Sequence, residues 1–174
     1  HDLGHAPFGH RGEKILNQLS EEYIQESFWH EKNGLYMVDK IELLEDNKGK
    51  KQNLNLTYAV RDGIISHCGE IDENGVKPRN ANIDLAYYTR SNEYAPYTWE
   101  ACVVKIADKI SYLGRDIEDA ISIGVIQEAD TEELRPLFKE EIHKINNTVI
   151  INKLVKDLCL HSSIEKGLVF SDDA

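Results

Sequence analysis

The sequence predicts an all-α fold, a single helical bundle. Three observations predict it. Apolar residues recur with helical rather than alternating spacing, helix-capping residues and glycine stops punctuate the chain, and no alternating strand of useful length is found. The opening segment HDLGHAPFGHRGE holds Gly4, Pro7, Gly9 and Gly12, a density of breakers that implies the end of one helix, a tight turn and the start of another. The next helix is expected from about Gly9 to Gln25, with Ile15, Leu16 and Leu19 on its core side. A further helix is expected over His30 to Leu44, with Leu35, Val38, Ile41 and Leu44 available for burial.

The polar stretch Asp46 to Gln52 reads as a loop, and Asn55 as the N-cap of a helix that reaches Cys68 and stops at Gly69. Residues Glu70 to Asn82, with Gly75, Pro78 and several Asn and Asp, read as an exposed loop. Thr98 caps a long helix that carries Glu100 in its first turn, where negative charge suits the dipole, and runs to about Gly124. Asp130 and Glu133 have capping-box-like spacing for the next helix, which Pro136 delays or kinks. The last helix is expected over Glu140 to Leu160.

The chain has 174 residues, of which 41% are hydrophobic and 29% charged, a globular balance compatible with one domain over residues 1–174. It begins at His1 with no leader-like segment and ends in FSDDA without a helix stop, so it reads as an internal part of a longer protein. No apolar run approaches the ~20 residues of a membrane-spanning helix. The net charge of −11, from 20 basic and 31 acidic side chains, disfavours a nucleic-acid scaffold, whose affinity depends on neutralising phosphates. It does not exclude a small phosphorylated substrate, because a divalent metal and a few local cations reverse the potential inside one cleft. Cys68, Cys102 and Cys159 are scattered and form no CxxC pair, which points to reduced thiols in a cytoplasmic protein.

The first thirteen residues concentrate His1, Asp2, His5, His10 and Glu13 among apolar Leu3 and Phe8. Imidazole nitrogen with carboxylate oxygen suits Mn²⁺, Fe²⁺, Ni²⁺ or Zn²⁺, and adjacent His and Asp at a helix end can both reach one ion. His10 and Glu13 stand at i, i+3 on one helical face, a spacing at which a carboxylate can orient an imidazole for acid–base work. A lone His-Asp dipeptide carries no such meaning; the weight comes from three histidines and two carboxylates set among turn glycines.

Much later, KIADKISYLGRDIEDA places Asp108, Tyr112 and Asp116 at i, i+4 and i+8, one stripe of a helix flanked by Lys109, with Ile106, Ile110, Leu113 and Ile117 on the other face. By itself the stripe reads as solvated surface. Joined to the first segment, Asp108 offers an oxygen ligand, Lys109 a point charge for phosphate, Tyr112 a stacking face and Asp116 an acceptor for a hydroxyl. Between the two, in FWHEKNGLYMVDKI, His30 follows two aromatics and opens a helix; the competing, weaker reading is a partly buried structural histidine.

Together HDLGHAPFGHRGE, LNLTYAVRDGIISHCGE and WEACVVKIADKISYLGRDIEDA resemble the HD superfamily, in its deoxynucleoside triphosphate triphosphohydrolase (dGTPase-like) branch. That branch includes bacterial dGTPase-like proteins and the animal enzyme with joined SAM and HD domains. The first segment resembles HD-[IL]-G-H-x-P-F-[GS]-H, which is far more specific than HD alone. The resemblance implies an HD-domain helical bundle and a divalent metal (Mn²⁺, Fe²⁺, Ni²⁺, Zn²⁺ or Mg²⁺) held by His1, Asp2 and Asp108. It implies that His10 is the catalytic histidine, with Glu13 as its acidic partner and His30 sharing proton transfer. His5 would line the phosphate pocket, Lys109 contact phosphate, Tyr112 the sugar and Asp116 the deoxyribose 3′-hydroxyl. Glu13 stands where some members carry aspartate. The family's first metal-binding histidine, in an R-x-x-H segment, falls upstream of His1, so three of four protein ligands are expected in this chain. The resemblance also implies a homo-oligomer with inter-subunit nucleotide effector sites.

The expected reaction is attack at the α-phosphorus of a deoxynucleoside triphosphate, releasing deoxynucleoside and inorganic triphosphate. The alternatives are an HD phosphohydrolase acting on another nucleotide or phosphoester, and a non-catalytic nucleotide-binding regulatory module. The HHE and GYP signature of cyclic-di-GMP HD enzymes is missing from the sequence.

Overall fold

A computed structural model of the chain describes residues 1–69, 75–138 and 144–171. The chain forms two compact units: His1–Glu70 with Pro78–Lys105, and Ile71–Lys77 with Ile106–Ala174. The described residues are mostly helical, as the sequence predicts, and no helix among them is long and apolar enough to cross a membrane.

In the first unit, α1 spans Gly9–Ile24 and ends on Gln25 in the left-handed region (φ 58°), close to the expected limits. Its apolar face is less covered than expected: Ile15 is 53% and Leu19 45% exposed. Helix α2, His30–Tyr36, continues into a wider turn at Met37–Ile41 and then leaves helical geometry at Glu42 (φ −77°, ψ 102°). The expected helix to Leu44 therefore stops short. Leu43–Glu45 (β1) pairs antiparallel with Lys51–Asn53 (β2), a small hairpin where the end of a helix and a loop were expected. Its tip is built by Asp46, whose Oδ1 accepts from the backbone N–H of Lys48 and Lys50 at 2.9 Å each. Three exposed residues per strand give no alternation to read.

Helix α3, Tyr58–Ile65, is capped by Thr57, whose hydroxyl accepts from Val60 N–H; Asn55 instead occupies a left-handed turn (φ 50°). The helix ends at Ser66, before Cys68. Part of the expected loop from 70 to 82 lies outside the described residues. In the rest, Arg79 is drawn into the unit by Asp62, which is fully buried on α3. Its guanidinium also donates to Tyr58 Oη (2.6 Å) and the Ala95 carbonyl (2.7 Å), while Asp62 Oδ2 accepts from Tyr97 N–H (2.7 Å). Trp29, Ile65, Leu85 and Tyr88 form the buried apolar cluster beside this network.

Helix α4, Trp99–Ser122, starts as expected: Thr98 Oγ1 accepts from Ala101 N–H (3.2 Å). In the second unit, the segment expected to be capped by Asp130 and Glu133 is a 3₁₀ helix, Glu128–Leu137. Its cap is Gln127, and Asp130 supplies the reciprocal bond. The final helix α5, Asn147–His161, starts at Asn146, whose side chain accepts from Val149 N–H; residues 140–143 of the expected span lie outside the described residues. Glu118 Oε1 accepts from Asn147 N–H (3.1 Å), tying α4 to α5, and Asp157 on α5 binds Ser171 through two 2.7 Å bonds.

Candidate functional site

The His-rich opening segment is seated by turn geometry. His5 N–H donates to the Asp2 carbonyl (3.0 Å), closing a turn in which Gly4 has φ +84°. That value at the third turn position is the one a type II turn demands, and it favours glycine. Helix α2 grips the turn: Asn33 Nδ2 donates to the Gly4 carbonyl (2.7 Å), and a Cβ on Gly34 would meet the Leu3 carbonyl at 2.9 Å. Past the turn, Gly12 leaves no space for a Cβ against the Pro7 carbonyl, so the loop lies directly on α1.

This arrangement gathers six of the residues predicted from sequence. His5 and His30 have ring centroids 4.4 Å apart, and His10 and His30 6.2 Å. His1 Nε2 lies 3.6 Å from Asp2 Oδ2. The acidic partnership differs from expectation. Glu13 Oε2 accepts from the backbone N–H of His30 (2.9 Å) and makes a short bond with His30 Nδ1; it makes no bond to His10 among the described residues. The i, i+3 spacing lets Glu13 and His10 share a face, but Glu13 reaches the start of α2, where His30 offers two donors to one carboxylate oxygen. His30 is buried, whereas His5 and His10 are exposed.

Three residues were missed. Glu31 is fully buried, accepts from Ser91 Oγ through one oxygen, and sets the other 3.6 Å from His30 Nδ1. Its signal was the HE dipeptide, whose carboxylate reads as an ordinary helix-start charge. His67 is 1% exposed, its ring 4.7 Å from that of His1 and 5.5 Å from that of His30. Cys68 Sγ is 3.0 Å from His30 Nε2. Nothing in the spacing of His67 and Cys68 just past α3 links them to the much earlier His1, Asp2 and His30.

Among the described residues, donor atoms within 4.8 Å of one another fall into four overlapping groups: His1, Asp2 and His67; Asp2, His5 and His30; Glu13, His30 and Glu31; and His30, His67 and Cys68. The first two groups fit a first-row divalent ion by donor chemistry, being imidazole nitrogen with carboxylate oxygen. Their spacing also fits: ligands at about 2.1 Å from a metal stand ~3.0–3.5 Å apart when adjacent, near the 3.6 Å between His1 and Asp2.

Asp108, Lys109, Tyr112 and Asp116 belong to the second unit. They form the expected stripe on one continuous helix, α4, with Asp116 exposed and Tyr112 42% exposed. On the opposite face Ile106 and Ile110 are buried, while Leu113 is 45% exposed.

A mainly helical chain with adjacent histidine and aspartate in an imidazole cluster is the pattern of an HD domain, and the HD domain family matches residues 1–113. The chain belongs to that family. It is similar to the deoxyguanosinetriphosphate triphosphohydrolase-like protein of Rickettsia felis (strain ATCC VR-1525 / URRWXCal2), with 32% identity over 91% of this chain and 41% of the relative. It is also 34% identical to the protein of the same name from Clostridium tetani (strain Massachusetts / E88), over 95% of this chain and 38% of the relative. The chain thus spans about two-fifths of the length of these relatives.

Proposed function

We propose that the protein is a metal-dependent hydrolase of deoxynucleoside triphosphates that yields deoxynucleoside and inorganic triphosphate. One observation carries the reading: His1 and Asp2 are presented as a donor pair beside a buried, carboxylate-held His30 and two exposed imidazoles, His5 and His10. The printed names of the relatives favour a nucleoside triphosphate as the phosphate ester.

His1 and Asp2, with Asp108, would hold the ion, which when bound supplies Lewis acidity toward a phosphoryl oxygen. Water adds at the α-phosphorus, the bond to the 5′-oxygen breaks, and that oxygen takes a proton. His10 would deliver it; its ring is exposed and stands 6.2 Å from that of the buried His30. His30, held by Glu13, would share the proton transfer with His10. His5 and Lys109 would meet the polyphosphate, Tyr112 the sugar and Asp116 the 3′-hydroxyl.

The test is to incubate full-length protein with dGTP and Mn²⁺ and separate the products by ion exchange. Deoxyguanosine with inorganic triphosphate is expected. Pyrophosphate with monophosphate, or no turnover, overturns the reading.

A further inference from the structure

We propose that His67 is a protein ligand of the same metal ion that His1 and Asp2 hold, coordinating through Nε2. The proposal rests on the reading of this site as a metal centre and adds to it a residue from the far end of α3.

The tautomer of His67 is set by its backbone neighbour. Nδ1 lies 2.7 Å from the carbonyl oxygen of Ile64. A carbonyl only accepts, so Nδ1 carries the proton, and in the neutral ring Nε2 bears the lone pair. Nε2 in turn stands 3.8 Å from Asp2 Oδ1, and the ring meets that of His1 edge-on at 4.7 Å. A carboxylate oxygen facing Nε2 calls for a positive charge between them, either a proton that makes the ring cationic or a bound cation. A divalent cation supplies that charge, and it also accounts for the spacing. Contraction by a few tenths of an ångström brings the His1–Asp2 and Asp2–His67 pairs to the ~3.5 Å separation of adjacent ligands around one ion, and the donor atoms of all three residues lie within 4.8 Å of one another.

The surroundings of His67 are those of a ligand histidine. Metal-bound imidazoles nearly always give their other N–H to a carbonyl or carboxylate, which fixes ring orientation and raises basicity. Burial to 1% exposure leaves the ring no freedom to turn away. The sulfur of Cys68 is engaged with His30 Nε2 at 3.0 Å, so toward Asp2 the donor set is nitrogen and oxygen only.

The experiment uses full-length protein and two metals, Mn²⁺ and Co²⁺, comparing wild type with His67→Gln. Pulsed EPR of the Mn²⁺ protein counts coordinated imidazoles. One fewer in the variant, with metal affinity by calorimetry at least about tenfold weaker, supports the proposal. An unchanged count with unchanged affinity overturns it and leaves the metal centre standing. A thiolate-to-metal charge-transfer band in the Co²⁺ protein would place the ion at His30, His67 and Cys68 instead, and also overturns it. If wild type binds neither ion, both this inference and the proposed function fall. Should the variant not fold, anomalous scattering from Mn²⁺-soaked wild-type crystals decides. A peak about 2.1 Å from His67 Nε2 supports the ligation. A peak on His1 and Asp2 but beyond coordination distance of Nε2 overturns it.

Discussion

Glu13 on α1 and His30 at the start of α2 form one unit: a single carboxylate oxygen accepts from both the backbone N–H and the ring Nδ1 of the histidine. The first bond satisfies a helix-start donor that has no partner within α2, and the second fixes the His30 tautomer. Glu13→Gln keeps an acceptor and removes the charge. The expected outcome is unchanged metal content with kcat lowered by about 10²–10⁴, the usual scale of general acid–base assistance. Glu13→Asp should recover only part of it, because the shorter side chain pulls the oxygen away from both donors. Steady-state kinetics beside metal analysis checks this, and loss of metal together with activity would contradict it.

The sequence exposes the part of this site that is local. Four breakers within Gly4 to Gly12 announce the turn, and His1, Asp2, His5, His10 and Glu13 lie within it or directly beside it. The pairing of Glu13 with His30 spans 17 positions and joins two separate helices, which no periodicity encodes. His67 is further away still; its role depends on α3 ending at Ser66 rather than at Cys68. The helices were legible for the same local reasons: Thr98 marks the start of α4, and Gly124, with φ +76°, lies just past its end. The errors arose where two signals compete. Asn55 and Thr57 are both acceptable caps, and only the tertiary placement of α3 chooses Thr57.

Gly12 tests how closely the opening loop must lie on α1. A methyl group there would occupy the place of the Pro7 carbonyl, which is backbone and cannot rotate aside. Gly12→Ala is therefore expected to displace the Ala6–Phe8 segment, costing about 1–3 kcal/mol from overpacking, despite alanine's better helix propensity. Urea denaturation measures the loss. Stability equal to or above that of wild type would show that the loop is not held against the helix.

The Asp62–Arg79 pair is the main buried charge pair of the first unit, with side-chain exposures of 0% and 10%. Burial opposes the Arg79 charge, but the Asp62 carboxylate more than restores it, so the guanidinium stays charged. Asp62→Ala removes the counter-charge and leaves the Tyr97 N–H without its acceptor. A loss of about 3–5 kcal/mol in unfolding free energy is expected. Arg79→Met placed on that background should recover part of it, a non-additivity that a double-mutant cycle reads directly.

Asp157 gives the second unit a dependence on pH. Burial pushes its carboxyl upward, but two bonds from Ser171 and the nearby His161 and Lys153 outweigh burial and hold it below the usual carboxylate value. A depressed folded value contributes stability above the unfolded value of about 3.9, and that contribution is lost as pH falls through the folded value. The stability difference between wild type and Asp157→Asn should be level from pH 7 to about pH 5 and shrink below about pH 4. Thermal melting of both proteins across that range checks it; a difference that grows on acidification would reverse the sign.

The three thiols should separate by reactivity, because the thiolate is the nucleophile and its availability follows burial. Cys102 is wholly buried on α4, and burial above all pushes its thiol up to about 11, against the pull of Lys105. Cys159 is exposed on α5, and Cys68 is half-buried against His30. At neutral pH a small alkylating reagent should modify Cys159 first, Cys68 next, and Cys102 only after denaturation. Peptide mass spectrometry over a time course gives the order. Modification of Cys102 in the native protein at the rate of Cys159 would mean that the first turns of α4 open far more readily than their burial implies.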